Sequence, residues 1–487
     1  MRVLSKSVSA VILAIVATGC ATTPPNPVNP EDMPKAFAAP VAAGVGQQIT
    51  ADWWKSFSSD ELAGLVEAAE TGNLDIAAAA ARVEQAQGQT GVATASLFPD
   101  VQVTGSASRA QSRSAFGKTT SNAFGLTGAA SYELDFWGQV RDNLSAARNS
   151  ARAAIYARDV VELTTRANVA NTYFTVLALR ERIAIAKKNV DAAKRILAIT
   201  QAKVTNGVLS NLELAQQTAQ VLAEEAQIPR LEEQERESRY ALAILLGRMP
   251  EGFDVKGDSL EGIVAPPVAP GLPASLLLRR PDIAEAEASM LAAHANLDAA
   301  RAAFLPAIGL SANGGYQNTN IANLINPNNL AWSIGASLVQ TIFDGGRLTS
   351  QRDIAKGREA ELVADYRAAV LSALSDTESQ LGSVASYGEQ ERLTTEEAAN
   401  AAEAFRISEL QYREGVVDLL TVLQAQQTLF TSQDTLIQIK LAGLQAGVGL
   451  YRALGGGWTV AADADKPTRN TFVPVPDLTD LPIGKPF

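Results

Sequence analysis

The stretch YELDFWGQVR (Tyr132–Arg141) begins with the alternation of apolar and polar residues that is typical of a β-strand and ends in a turn that contains glycine. The stretch VQTIFDGGR (Val339–Arg347) repeats this pattern, and the arginines that close the two stretches are 206 residues apart. Glycine tolerates the backbone conformations that a sharp bend needs. Each stretch is therefore predicted to lead the chain from a strand into a helix. The predicted turn residues are Trp137, Gly138, Arg141, Gly345, Gly346 and Arg347.

The correspondence between the two halves extends over most of the chain. Pro99 and Pro306 lie 207 residues apart, Gly207 and Gly415 lie 208 apart, and Gly247 and Gly455 lie 208 apart. Because these pairs occur in one order at nearly one offset, they indicate a tandem duplication. The period is too long for a solenoid repeat of roughly 20–50 residues.

Two long segments without proline follow the predicted turns. They run from Gly138 to Val204 and from Gly346 to Tyr412, and both are rich in the strong helix formers Ala, Glu, Gln and Arg. Helices of this length predict a coiled coil or a bundle. Alanine at the contact positions favours close packing of each helix against two neighbours. The alternative is an alanine-rich helix exposed to solvent.

Four strand-like stretches flank the helical segments, and each is long enough to cross a bilayer when tilted. They are predicted at about residues 100–111, 122–136, 306–318 and 330–343. Four strands cannot close a barrel, for which about eight is the minimum. An open sheet edge is excluded from lipid because its N–H and C=O groups find no partner there. If the strands lie in a membrane, three chains must share one barrel of twelve strands.

The composition excludes several classes of function. The formal net charge is −11 and no basic cluster stands out, which argues against binding to nucleic acid. One cysteine and one histidine cannot form an intrachain disulfide or a Cys/His metal site. No catalytic, P-loop or dinucleotide motif is found. We therefore expect no enzyme activity, no cofactor and no metal.

The first twenty residues resemble a bacterial lipoprotein signal peptide. A positive start is followed by a short apolar core and by ATGC, which ends at Cys20. The apolar core is too short to span a bilayer as a helix. Cleavage before Cys20 would leave this residue acylated at the new N-terminus. The alternative is an ordinary secretory signal in which Cys20 is incidental.

Several motifs together resemble the outer-membrane efflux channel family of the TolC/OprM/NodT type. The most specific is LLLRRPDIAEAEASMLAAHANLDAARAAFLPAIGL (Leu276–Leu310), and DWWKSF (Asp52–Phe57), LDFWGQVR, IFDGGR and YREGVVDLL add to it. The resemblance covers nearly all of the mature chain. It implies a homotrimer with a 12-stranded β-barrel in the outer membrane, above an α-helical periplasmic tunnel. It also implies a passive duct that works with an inner-membrane pump and a periplasmic adaptor.

In this family, polar and charged links between helices hold the periplasmic mouth shut, and the resemblance places such links in the second repeat. Tyr412 and Arg413 match the family's Tyr–Arg segment. Gln424 stands where relatives often have a luminal carboxylate, so Asp418 or Glu213 is the candidate substitute. The alternative is that these residues only cap or bridge helix turns.

The predicted fold class is mixed α and β, mainly α, built from a duplicated unit of long coiled-coil helices plus two β-hairpins. The predicted segments are a lipoprotein signal peptide (1–19), an acylated tether with an equatorial segment (20–58), repeat 1 (59–255), a Pro-rich linker (256–274), repeat 2 (275–457) and a tail (458–487). The favoured function is an outer-membrane exit duct for small molecules such as drugs and toxic compounds. The alternative is a lipid-anchored periplasmic coiled-coil scaffold or adaptor.

Overall fold

The computed structural model describes residues 23–25, 27–39, 49–115 and 117–460 of the chain. Its fold is mixed α and β and mainly helical, as predicted. The predicted signal peptide, Cys20 and the tail beyond residue 460 lie outside the described residues.

The helices and strands follow the same order twice along the chain. Their bounds are α1 Asp60–Gly72, α2 Leu74–Ala95, β1 Asp100–Ser114, β2 Gly117–Leu134, α3 Gln139–Thr205, α4 Asn211–Leu245, α5 Leu276–Arg279, α6 Pro281–Ala302, β3 Ala307–Asn318, β4 Leu330–Val339, α7 Arg347–Glu414 and α8 Leu419–Ala453. Two helices, a hairpin, one long helix and one shorter helix make up each half. This order agrees with the predicted duplication.

The two long helices match the segments predicted from the absence of proline. Helix α3 has 67 residues and α7 has 68, so each is about 100 Å long at 1.5 Å per residue. Each follows a glycine in the left-handed conformation, with φ of 95° at Gly138 and 90° at Gly346. Such a glycine lets the chain turn out of the sheet and enter a helix directly. The long helices pack lengthwise, α3 against α2, α4, α6 and α8, and α7 against α6 and α8.

The helical hairpins α3–α4 and α7–α8 end in the same way. Each long helix is followed by a glycine with positive φ, 73° at Gly207 and 81° at Gly415. Each shorter helix then starts at an N-cap side chain, Ser210 before α4 and Asp418 before α8. These caps are 208 residues apart, at the offset of the glycines. The duplication is thus visible in local backbone geometry as well as in sequence.

The four strands form one antiparallel sheet in the order β1-β2-β3-β4, because β2 of the first repeat pairs with β3 of the second. The predicted bounds of the first hairpin were wrong at its tip. The sequence predicts strands that end at about residue 111 and start again at about 122, but β1 continues to Ser114, which lies opposite Gly117 at the start of β2. Strand pairing needs only backbone groups, so it continues after the alternating residues have become polar.

The last strand is shorter than predicted. Strand β4 ends at Val339, not at Phe343. The side chain of Gln340 donates hydrogen bonds to the carbonyl oxygens of Phe304 at 3.1 Å and Thr341 at 3.2 Å. The chain therefore leaves the sheet after Val339 and turns towards α7.

The main core lies around the middle of α3, far from both ends of the molecule. The segment DWWKSF is buried here: Trp53 stacks on Tyr451 with ring centroids 5.1 Å apart, and Phe57 contacts Phe174 at 5.4 Å. Leu260 and Val268 of the Pro-rich segment are also buried in this region. The N-terminal segment and the inter-repeat segment therefore help to hold the helices together.

Arg280 of the RRPD motif is a buried charge with several partners. It is 7% exposed, and it donates to Ala453 O at 2.9 Å and to the carboxylate of Asp282 at 2.6 Å. The carboxylate of Asp376 lies 3.5 Å away. Burial alone would lower the pKa of Arg280, but these hydrogen bonds and charges raise it.

We expect Arg280→Ala to destabilise the folded protein strongly. Removing one partner of a buried ion pair typically costs about 3–5 kcal/mol, because the remaining charges stay desolvated. Denaturant unfolding of the detergent-solubilised protein measures this change. Arg248→Ala, which removes an exposed arginine, is the control and is expected to unfold at the wild-type midpoint. Equal midpoints for the two variants would contradict the assigned role.

Candidate functional site

Asp135 organises the turn between β2 and α3. Its carboxylate accepts hydrogen bonds from the backbone N–H groups of Val140 at 3.1 Å and Arg141 at 3.0 Å, and from Arg141 Nε at 2.9 Å. Trp137 Nε1 donates to Pro306 O at 2.7 Å. Since Pro306 directly precedes β3, this bond connects the turn of repeat 1 to the sheet of repeat 2.

Asp344 has the same role in the turn between β4 and α7. It accepts from the backbone N–H groups of Gly346 and Leu348, both at 3.0 Å. The guanidinium of Arg347 lies 3.6 Å from its carboxylate, and Gly345 has a φ of 67°. The predicted turn residues thus surround a carboxylate that the sequence analysis did not select. An aspartate just before a helix is the available sequence signal, because it accepts from the first free N–H groups.

The charged form of Asp135 is favoured by its partners. Burial opposes ionisation, but the hydrogen bonds from Arg141 and Val140 outweigh it and lower the pKa of Asp135. A carboxyl with a lowered pKa stabilises the fold above its unfolded pKa of about 3.9. That contribution is lost as the pH falls through the lower, folded-state pKa.

We therefore expect Asp135→Asn to lower the thermal stability at pH 7 and to have a smaller effect at pH 3. Hydrogen bonds to a charged group typically contribute about 1.5–3 kcal/mol. Circular dichroism melts of the detergent-solubilised protein at the two pH values measure the difference. Glu84→Gln, at an exposed position of α2, is the control and is expected to melt like the wild type at pH 7. A difference between Asp135→Asn and wild type that is the same at both pH values would contradict this interpretation.

Tyr412 joins the end of α7 to the end of α3. Its side chain is 1% exposed, and its hydroxyl forms a hydrogen bond of 2.9 Å with the hydroxyl of Thr200. Lys203 Nζ donates to the carbonyl oxygen of Tyr412 and lies 4.3 Å from the centre of its ring. Burial raises the pKa of the Tyr412 hydroxyl, so it stays protonated as a hydrogen-bonding group. Val204 of α3 occupies the repeat-related position, so the first repeat has no tyrosine that could form the reciprocal link.

The two candidate carboxylates act as helix caps in the structure. Glu213 accepts from the backbone N–H of Ser210 at 3.0 Å and from its hydroxyl, which forms a capping box. Asp418 accepts from the backbone N–H of Thr421 at 2.9 Å and from its hydroxyl at 2.7 Å. Side-chain hydrogen bonds from Ser210 and Thr421 are the first cause of the lowered pKa of Glu213 and Asp418. Asp418 is exposed and Glu213 is half-buried, and both carboxylates stay charged.

Arg413 and Gln424 are exposed on the outside of the hairpin end. The guanidinium of Arg413 contacts Glu414 at 3.5 Å, and its side chain is 59% exposed. Among the described residues of this chain it forms no bridge to another helix. Near this end, α3 and α7 are joined instead by the contacts of Tyr412 with Thr200 and Lys203 and by the ion pair of Arg195 with Glu409 at 3.5 Å. The side chain of Gln424 is exposed as well.

Two glutamines that the sequence analysis did not select are fully buried near the hairpin ends. Gln217 of α4 donates to Ala193 O at 2.9 Å, but its own amide oxygen has no partner. Neither amide atom of Gln426 has a protein partner. Buried and exposed positions alternate along α4 and α8 in this region. A glutamine at a buried position carries no local sequence signal that distinguishes it from an exposed glutamine.

The single histidine is also a packing residue with charged partners. His294 of α6 is 7% exposed, and its Nδ1 lies 2.6 Å from Glu359 of α7. Its Nε2 lies 3.6 Å from Asp298, which in turn contacts Arg301 at 2.6 Å. The cluster joins α6 to α7 below the sheet. In the part of the chain that the structure describes, no cluster of acidic, His and Cys residues could hold a metal ion.

Comparisons with known proteins place this geometry in context. A family model described as outer membrane efflux protein matches residues 65–248 and 272–456, which correspond to the two halves. The chain is 37% identical over 468 residues to the pyoverdine export outer membrane protein OpmQ of Pseudomonas aeruginosa, covering 93% of this chain and 97% of that protein. It is 28% identical over 452 residues to the cation efflux system protein CusC of Escherichia coli, covering 92% and 97%.

A solved structure supports the same assignment. The outer-membrane channel OprN superposes with a TM-score of 0.82 at 26% identity, covering 90% of this chain and all of that one. Within the described residues, no helix combines the length and the apolar character that a membrane-spanning helix requires.

Proposed function

The chain belongs to the outer membrane efflux protein family, and from that premise we propose that three copies of it form the exit duct of a tripartite efflux system. The protein is an outer-membrane component of efflux rather than an enzyme. In the proposed assembly, twelve strands close one barrel and the long helices form a periplasmic tunnel. A periplasmic adaptor and an inner-membrane pump deliver small molecules to it.

One observation carries this proposal: the sheet has two free edges. Among the residues that the structure describes, strands β1 and β4 pair on one side only, with β2 and β3 respectively. Unpaired backbone groups cannot remain in lipid, and four strands are too few to close on themselves. Pairing of β1 in one copy with β4 in the next, repeated three times, removes every edge.

The strand register separates the side chains into two faces of opposite character. Residues directly opposite in neighbouring strands lie on the same side of the sheet. The apolar face contains Val101, Val103, Ala107, Phe124, Leu126, Ala130, Ile308, Leu310, Ala312, Tyr316, Leu330, Trp332, Ile334, Ala336 and Leu338. The polar face contains Gln102, Thr104, Ser106, Thr127, Ser131, Ser311, Asn313, Gln317, Ser333 and Ser337. An apolar face towards lipid and a polar face towards a hydrated pore are what a membrane barrel needs.

The link between α3 and α7 is the basis for a closed periplasmic mouth in this proposal. Tyr412, Thr200 and Lys203 lie at the hairpin ends farthest from the sheet. Opening would separate these ends by a rearrangement of helices, biased by the partner proteins. Arg413 is exposed beside this link and is proposed to face a neighbouring copy. Glu213 and Asp418, as caps, would hold the hairpin ends in shape, and Gln424 remains a candidate on the exposed side.

The alternative of a periplasmic scaffold or adaptor is less well supported. An adaptor of the expected type has one helical hairpin between two β-halves. This chain has two hairpins of long helices and one sheet made by both repeats. Planar-bilayer recording tests the duct directly: the purified protein is expected to give uniform conductance steps. Trimers that insert without any conductance would contradict the proposal.

Acylation of Cys20 is a further part of the proposal, based on the sequence ATGC. We expect Cys20→Ser to abolish labelling of the protein by a radioactive fatty acid and to alter its processing. The proposed barrel itself crosses the membrane, so it is expected to retain the variant in the outer membrane without the lipid. Equal labelling of variant and wild type would contradict the lipoprotein assignment.

A further inference from the structure

The end of the β1–β2 hairpin away from the helices carries three cations and no anion. Arg109 and Arg113 lie on β1, and Lys118 of β2 is directly opposite Arg113. No Asp or Glu occurs in residues 101–132 or 305–343. All three cations are exposed, and none forms an ion pair within the described part of the chain. Like charges opposite each other in a sheet repel, so a site of this kind favours an anion.

The register places these cations on the outer side of the proposed barrel. Arg109 and Arg113 are separated from Val103 by an even number of positions on β1, and Lys118 is separated from Phe124 by an even number of positions on β2. They therefore continue the apolar face defined above. Side chains on the polar face at the same height, such as Ser112, are small and uncharged. An acidic solute in the pore would meet these serines and not the cations.

The height of the cluster matches the edge of a lipid layer. The apolar face of β2 runs from Leu134 to Phe124, which is about 33 Å along the strand at roughly 3.3 Å per residue. At a tilt of about 40° this gives a height of about 25 Å, the usual height of the apolar band of such barrels. Arg109, opposite Asn122, comes next beyond this band, and Arg113 and Lys118 lie farther out.

We propose that Arg109, Arg113 and Lys118 bind the phosphate groups of the phosphorylated glycolipid in the outer leaflet of the outer membrane. This inference rests on the proposed trimeric barrel, in which three hairpins would present nine cations around the rim. The forked guanidinium of arginine suits bidentate bonds to phosphate, and lysine adds a point charge. Two contacts then set the depth of the barrel in the membrane. The hairpin tip contributes through charge, and the apolar band contributes through contact with lipid chains.

Native mass spectrometry of the purified trimer tests this inference. The trimer is titrated with lipopolysaccharide, which is the phosphorylated glycolipid of the proposal. The variant is Arg109→Gln/Arg113→Gln/Lys118→Gln. The matched control, Arg358→Gln/Arg392→Gln/Lys188→Gln, removes the same number of cations from exposed positions of the long helices. We expect the first variant to bind at least tenfold more weakly and the control to bind within twofold of wild type. Enzymatically dephosphorylated lipopolysaccharide is expected to bind wild type as weakly as the intact lipid binds the first variant.

Four results would overturn the inference, and three of them concern lipid binding. These three are binding of the intact lipid by the first variant as tightly as by wild type, binding of dephosphorylated lipid by wild type as tightly as intact lipid, and full displacement of the lipid by millimolar inorganic phosphate, which would indicate a site for the free anion. The fourth result is a change in the ion selectivity of the first variant relative to wild type in planar bilayers. Such a change would place the cations in the pore. The two measurements together separate the two proposals. If the first variant forms normal channels and binds the lipid as wild type does, this inference alone is contradicted. If the wild-type protein forms neither trimers nor channels, both proposals are contradicted.

Discussion

Ile334→Lys will prevent accumulation of the assembled protein in the outer membrane. Ile334 lies midway along the apolar residues of β4 and opposite Ala312 in the register, so it is at mid-height of the proposed lipid-facing band. Lysine at the midplane of a barrel costs about 2–4 kcal/mol, and a trimer carries the substitution three times. The combined cost is of the order of the whole stability of a typical domain. Immunoblots of unheated outer-membrane fractions measure the loss of trimer.

The neighbouring residue provides a matched control. Ser333 lies on the polar face, where its hydroxyl is 2.9 Å from Asn313. Ser333→Lys adds the same side chain one residue away, but towards a hydrated pore, and is expected to leave the trimer in place. Loss of trimer in both variants, or in neither, would contradict the assignment of the two faces.

Combining Lys203→Met with Tyr412→Phe will raise the conductance of the channel several-fold. The first change removes the amino group that contacts the Tyr412 carbonyl and ring, and the second removes the hydrogen bond to Thr200. Together these contacts are expected to contribute about 2–4 kcal/mol per chain, since a neutral hydrogen bond contributes about 1 kcal/mol and a charged one about 1.5–3. Each ~1.4 kcal/mol shifts a two-state population tenfold. Single-channel recording and cellular sensitivity to large antibiotics measure the effect.

The controls for the mouth are substitutions of the same types elsewhere on the helices. Lys188→Met with Tyr240→Phe changes an exposed lysine of α3 and an exposed tyrosine of α4 and is expected to conduct like wild type. Arg413→Ala added to Tyr412→Phe tests whether Arg413 contributes through a neighbouring copy, and we expect a further rise in conductance. Wild-type conductance of the Lys203/Tyr412 variant in an intact trimer would make these contacts structural and place the gate elsewhere.

The sequence was most informative where local geometry decides the structure. The turns at Gly138 and Gly346 and the ends of α3 and α7 were predicted because glycine, proline and helix formers act over a few residues. The capping box of Ser210 and Glu213 also has a sequence signature, serine followed three residues later by glutamate. The sequence therefore also offers a local explanation for Glu213, as a helix cap, beside the proposed role in the gate.

Contacts between the repeats could not be read from the sequence. Thr200 and Tyr412 are 212 residues apart, and their contact depends on how α3 docks against α7 and α8. The bond from Trp137 to Pro306 depends likewise on the pairing of β2 with β3. The tip of the first hairpin was missed for a different reason. In the proposed barrel this tip lies beyond the membrane, where a strand needs no apolar face, so its composition is that of a loop.

The protein mass of the particle in detergent tests the central claim most directly, because the duct, the closed mouth and the lipid site all require that three chains share one barrel. Light scattering with separate determination of the detergent, or native mass spectrometry, gives this mass. We expect three times the mass of one mature chain, with a circular dichroism spectrum dominated by helix. A membrane-inserted monomer, or an assembly of two or four chains, would contradict a barrel closed by three four-stranded sheets.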